Sequence, residues 1–157
     1  MEGFDIEKMF IASKKAIENF AKKHSEETFY GFSIDASMLC LNSEEEFQKT
    51  LKHYQEEYPG SYNENNKIHE LKYNTGDWCY QGFFDLEDGF DQDLYSEHYH
   101  IPFDNKNLED EELVKLFQKT PYHRAMSKLL EKLVENGAFD SLKKTTDFKV
   151  FLSEHDY

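Results

Sequence analysis

Two apolar runs joined by a tight turn, between Thr28 and Asn42, constrain this chain more than any other stretch. Thr28–Ala36 (TFYGFSIDA) alternates, with Tyr30, Phe32, Ile34 and Ala36 on one face and Phe29, Gly31, Ser33 and Asp35 on the other. Ser37–Asn42 (SMLCLN) is a short apolar run, and Asp35-Ala36-Ser37 makes the connection. The pattern predicts a β-hairpin. A lone hairpin is marginal in water, so other elements must cover its apolar side chains.

Helices on either side can do so. Asp5 is placed to cap a helix running to about Lys23, with Ile6, Met9, Phe10, Ala16, Ile17, Phe20 and Ala21 at helical spacing. Ser43 and Glu46 form a capping-box pattern that starts a second helix ending at about Tyr58. Its predicted buried stripe is Phe47, Leu51, Tyr54 and Tyr58, and Pro59-Gly60 stops it. An acid-first helix opens near Asn107, with Leu113, Leu116 and Phe117 inward. Thr120-Pro121 starts another, whose apolar face is Tyr122, Met126, Leu129, Leu130, Leu133 and Val134. Lys67–Asn74 and Asp147–Glu154 are predicted strands, and Leu94–Phe103 is predicted irregular because of Pro102. This order lacks the regular alternation of a doubly wound sheet. It predicts a single α+β domain over residues 1–157, a mainly antiparallel sheet with helices packed on it. The expected core joins Phe32, Ile34, Phe47, Leu51, Leu129, Leu133 and Val150, with Trp78 at its edge.

Glu70–Asp85 (ELKYNTGDWCYQGFFD) holds the only tryptophan, Trp78, together with Tyr73, Tyr80, Phe83 and Phe84. Asn74-Thr75-Gly76-Asp77 fits a hairpin turn into a strand at Trp78–Phe84. It fits equally well an N-cap that starts a short helix carrying Trp78. The aromatics belong in a core or, as an anchor, at a partner interface, with Asp77 beside Trp78.

Charge narrows the partners. The formal net charge is −14. Residues 25–66 carry −7 and residues 67–112 carry −10, while residues 1–24 carry +1 and residues 113–157 carry +2. An acidic middle of this size disfavours nucleic acid and anionic membranes, and suits a basic protein partner. Cys40 and Cys79 lie in apolar segments without CxxC spacing and are expected to be buried free thiols. The opening MEGFDIEKMF is acidic and amphipathic rather than a signal sequence, and no apolar run reaches membrane-spanning length, so a cytoplasmic location is expected.

Catalytic patterns are weak. Gly89 in the acidic loop Asp85–Asp93 sits where an EF-hand glycine would, but Phe84 and Leu86 then occupy ligand positions and the pattern fails. His98-Tyr99-His100 would place two imidazoles on one side of a strand, with Glu97 adjacent, but no third ligand has a diagnostic spacing. None of GxSxG, HExxH or a glycine-rich phosphate loop occurs, and no cofactor is expected.

FYGFSIDASMLCLNSEEEFQKTL, ELKYNTGDWCYQGFFD, YSEHYHIP and the tail DFKVFLSEHDY together resemble the bacterial domain of unknown function family catalogued as 4303. The resemblance runs from about Ile6 to Tyr157 and brings no catalytic residues with it. It implies an association with bacterial toxin genes, where some such proteins are immunity proteins. The expected function is a non-enzymatic acidic binding protein, of immunity type, that neutralises a basic toxin domain. Its expected contact residues are Asp77, Trp78, Asp85, Glu87, Asp88, Asp91 and Asp93. The alternatives are a small metal-dependent hydrolase using His98, His100 and nearby acids, or a housekeeping adaptor.

Overall fold

A computed structural model describes residues 3–153. Among these the chain forms α1 (Ile6–Lys23), β1 (Phe29–Asp35), β2 (Met38–Ser43), α2 (Glu44–Glu57), α3 (Asn65–Lys72), a 3-10 turn (Thr75–Asp77), β3 (Tyr80–Asp85), α4 (Gln92–Tyr99), α5 (Ile101–Asp104), α6 (Asp110–Lys119), α7 (Pro121–Glu135) and β4 (Lys144–Leu152). The strands make one sheet in the order β3-β2-β1-β4. β1 and β3 run antiparallel to β2, while β4 runs parallel to β1. The fold is α+β.

The hairpin forms where expected, and Ala36 takes φ 54° in its turn. The face assignment changes, because β1 carries a bulge. Phe29 pairs with Ser43 and Gly31 with Asn42, so Tyr30 is an extra residue. A bulge shifts the side-chain alternation by one. Phe29, Phe32 and Ile34 therefore share one face, while Tyr30 points to the other.

Both faces are covered, so the single expected core is in fact two. On one face Phe29, Phe32, Ile34, Leu39 and Leu41 pack against Met9, Ile17 and Phe20 of α1 and Met126, Leu129 and Leu133 of α7. Phe148, Val150 and Leu152 of β4 join this core as half-buried side chains. On the other face Tyr30 and Cys40 pack with Phe47, Leu71 and Trp78, flanked by Leu51 and Tyr54. Phe47, Leu51 and Trp78 are thus separated by the sheet from Phe32, Leu129 and Leu133.

The helix ends follow their capping residues. Asp5 accepts from Lys8 N–H, Ser43 from Glu46 N–H and Thr120 from His123 N–H. Two expected elements differ. Lys67–Asn74 is mostly helix, as α3: Ile68 and Leu71, three apart, make one helical face on the second core, and Lys67 pairs with Glu70 at 3.8 Å. Leu94–Phe103 is helical rather than irregular. Asp91 caps α4, and Pro102 falls in the first turn of α5, where no intrahelical N–H is needed. Tyr58 and Val134, expected inward, are exposed. The closing strand begins earlier than predicted, at Lys144, and its expected last residue, Glu154, lies outside the described residues. Cys40 is buried and Cys79 exposed, both as free thiols. No helix among the described residues is long and apolar enough to cross a membrane.

Leu133→Ala should cost about 2–5 kcal/mol and Phe47→Ala about 3–5 kcal/mol in chemical denaturation. Because the sheet lies between them, the double variant should lose the sum to within about 0.5 kcal/mol. A larger coupling would mean that the two cores are one.

Candidate functional site

Trp78 is placed by the turn before it. Asn74 accepts from Gly76 N–H and caps the 3-10 turn, which delivers Trp78 onto β1. The turn is therefore a short helix, and the strand begins only afterwards, at Tyr80. The indole Nε1–H donates to the Lys72 carbonyl at 2.8 Å, and the Tyr30 hydroxyl donates to the same oxygen at 2.8 Å. Tyr30 and Phe151 meet the indole edge to face, at 5.8 and 5.7 Å. Trp78 is only 5% exposed, so it is a core residue rather than a surface anchor. Asp77 is also engaged. Its Oδ1 accepts from the Tyr54 hydroxyl at 2.5 Å and its Oδ2 from Asn74 Nδ2 at 2.8 Å. The bond to Asp77 pushes the Tyr54 phenol up to about 12.

The acidic loop stands apart from this pair. Asp77 precedes β3 and Asp85 ends it, so a six-residue strand, roughly 20 Å, separates them. The loop is anchored rather than loose. Leu86 is buried and its N–H donates to Ser37 O at 2.7 Å. Gly89, at φ 88°, accepts from Asp5 N–H at 2.9 Å, and a Cβ there would meet the Asp5 carbonyl at 3.0 Å. Asp91 accepts from Leu94 N–H at 3.0 Å as the α4 cap. Asp85, Glu87, Asp88 and Asp93 are exposed, and none enters an ion pair among the described residues. The anchors thus hold a backbone from which four carboxylates face solvent.

His98 and His100 do not share a side. Both belong to helical backbone, where residues two apart point in nearly opposite directions. His98 is buried, with Nδ1 2.7 Å from Thr120 Oγ1 and its ring 4.7 Å from those of Phe117 and Tyr122. His100 is exposed, and its Nδ1 lies 2.7 Å from Ser96 O. Among the described residues no group of three His, Cys, Asp or Glu side chains is arranged to hold a metal ion.

One polar cluster has no signature in the sequence beyond a histidine and a glutamate three apart. The Glu27 carboxylate gathers Ser43 Oγ at 2.7 Å, the Tyr80 hydroxyl at 2.7 Å from each of its oxygens, and His24 Nδ1 at 2.8 Å. It ties the end of α1 to β2 and β3. Burial opposes its charge, but the bonds from Ser43, Tyr80 and His24 outweigh that and hold its pKa below the ordinary 4.5. Burial, followed by the bond to Glu27, raises the Tyr80 phenol. With its oxygens occupied by protein donors, Glu27 is a clamp rather than a proton acceptor for a substrate.

The fold and site define an α+β protein with tethered aromatics inside and, outside, carboxylates of the loop that are unpaired among the described residues. A family model described as a domain of unknown function, DUF4303, matches residues 9–157, nearly the whole chain, and the chain belongs to that family. No curated protein and no solved structure matches it.

Two outcomes check this geometry. A Cβ on Gly31 would meet Trp78 Cη2 at 3.0 Å and Cζ2 at 3.2 Å. Gly31→Ala should therefore destabilise by about 1–3 kcal/mol and shift the tryptophan emission. Glu27 has a depressed folded pKa, so its contribution is present above the unfolded value and lost as pH falls through the folded one. Glu27→Gln should be less stable than wild type at pH 7, with a gap that narrows below about pH 4 in pH-resolved denaturation.

Proposed function

We propose that this chain is a non-enzymatic acidic binding protein, an immunity-type partner that neutralises a basic toxin domain. The observation that carries this reading is the anchored loop with Asp85, Glu87, Asp88 and Asp93 turned to solvent and unpaired among the described residues. Like charges held close together destabilise the free protein, and an incoming cationic surface relieves that repulsion. The −17 carried by residues 25–112 extends the same field beyond the loop. Complementary charge speeds encounter with a basic partner. A nuclease-type toxin, with a cationic substrate groove, has the surface such a protein would meet.

The test is binding to the product of the neighbouring gene at two salt concentrations. Asp88→Asn, Asp91→Asn and Asp93→Asn together remove three charges, and asparagine keeps the capping ability of Asp91. Association should slow and lose salt sensitivity, with thermal stability unchanged or slightly raised. Equal rates and equal salt slopes for the two proteins would take the loop out of the binding face.

A further inference from the structure

The second core carries a feature of its own at the far end of α2. Tyr54, Tyr58 and Tyr62 form a cluster there, with ring centroids 6.0 Å apart for Tyr54–Tyr58, 5.2 Å for Tyr54–Tyr62 and 6.4 Å for Tyr58–Tyr62. Tyr58 is 54% exposed, although its sequence position sits on the inward stripe of α2. The cluster is built, not frayed. Gln55 Nε2 donates to Tyr62 O at 2.9 Å, Ser61 N–H donates to Tyr58 O at 3.1 Å, and Asp77 holds the Tyr54 hydroxyl.

The charge of that helix end differs from that of the other helices of eight or more residues. A helix C-terminus carries partial negative charge and favours a cation in its last turn. α1 has Lys22 and Lys23 there, α3 has Lys72, α6 has Lys119 and α7 has Lys132, while α4 has a histidine, His98, and the four-residue α5 has no basic residue. α2 has no basic residue in its last turn, which carries Glu56 and Glu57 instead, and Tyr58 is its C-cap. No lysine or arginine occurs from 53 to 66. The site thus combines the exposed Tyr58 ring with the half-buried Tyr54 and Tyr62, Glu57 and the negative end of a helix, without lysine or arginine in that segment.

We propose that the α2 C-terminus, through Tyr54, Tyr58 and Tyr62 with Glu57, is a docking surface for an arginine side chain presented by a basic protein partner. The proposal rests on the basic-partner reading above and names a different face, in the α2–α3 layer across the sheet from α1, against which the acidic loop is anchored. Arginine fits better than lysine. Its planar guanidinium stacks on an aromatic ring while donating to carboxylates at its edge, whereas a lysine ammonium is a compact and strongly hydrated charge.

The probes are an end-blocked tetra-arginine peptide and its tetra-lysine counterpart, titrated into the isotope-labelled full chain and followed by amide chemical shifts. Shifts should centre on residues 54–64 and be larger with arginine. Tyr58→Leu, a change at an exposed position, should weaken binding about three- to tenfold, while Tyr58→Phe, which keeps the ring, should stay within about twofold. Shifts centred on residues 85–93, with Tyr58→Leu unchanged, would overturn this surface and leave the basic-partner reading standing. Equal, diffuse shifts with both peptides, or none, would also overturn it. The basic-partner reading itself is decided separately by binding to the neighbouring gene's product.

Discussion

A strand with no exposed residue must be covered on both sides, and β1 is such a strand over all seven of its positions. The requirement distributes the other elements. α1 and α7 cover one face, and α2, α3 and Trp78 cover the other. The bulge at Tyr30 makes the arrangement work, because it sends Tyr30 toward Trp78 while keeping Phe29 in line with Phe32. One carbonyl, that of Lys72, then accepts from both Tyr30 and Trp78, so the second layer is fastened by hydrogen bonds as well as by apolar area. Removing either donor leaves the other in place, but a shift of α3 would strand both.

The division into two cores bears on function. Asp77 and Trp78, adjacent in sequence to a polar turn, are absorbed into the second layer by their own hydrogen bonds. Binding surfaces have to come from what packing leaves outside, and two features of the described surface bear on the basic-partner reading. One is a pinned loop of unpaired carboxylates, suited to long-range attraction. The other is a tyrosine cluster at a helix end with no basic residue in its last turn, the surface proposed for short-range recognition of a planar cation. An acidic protein that meets a basic one draws on both kinds of interaction, since steering sets the encounter and desolvated contacts set the lifetime of the complex.

The hairpin, the caps at Asp5, Ser43 and Thr120, and the existence of a closing strand were all legible in the sequence. In each a local signal, an alternation or a capping side chain, was also the feature that decided the structure. The bulge was not legible, since nothing in TFYGFSIDA marks Tyr30 as an extra residue, and missing it merged two cores into one. In Lys67–Asn74 the helical signal is the three-residue spacing of Ile68 and Leu71, which a strand would put on opposite faces, but in eight residues it is a single interval. His98-Tyr99-His100 misled for a related reason, since its chemistry depended on strand geometry and the backbone is helical. The Glu27 clamp draws on α1, β2 and β3 at once, and no local pattern announces a contact between residues 53 positions apart. Of the candidate site, the exposure of most of the acidic loop followed from its composition, whereas the fate of Trp78 depended on tertiary packing.

β4 completes the sheet from a distance: Phe32 pairs with Val150, 118 positions later. During synthesis at about 5–20 residues per second, roughly 6–24 s pass between the emergence of these two residues from the ribosome. Throughout that interval β1 has one backbone edge without its native neighbour, and for most of it part of its apolar face lacks cover from α7. Closing so long a loop is entropically slow as well. The nascent chain therefore holds an open strand edge until β4 is made, and its exposure to edge-to-edge association is a matter of synthesis rate as well as of the stability of the finished fold.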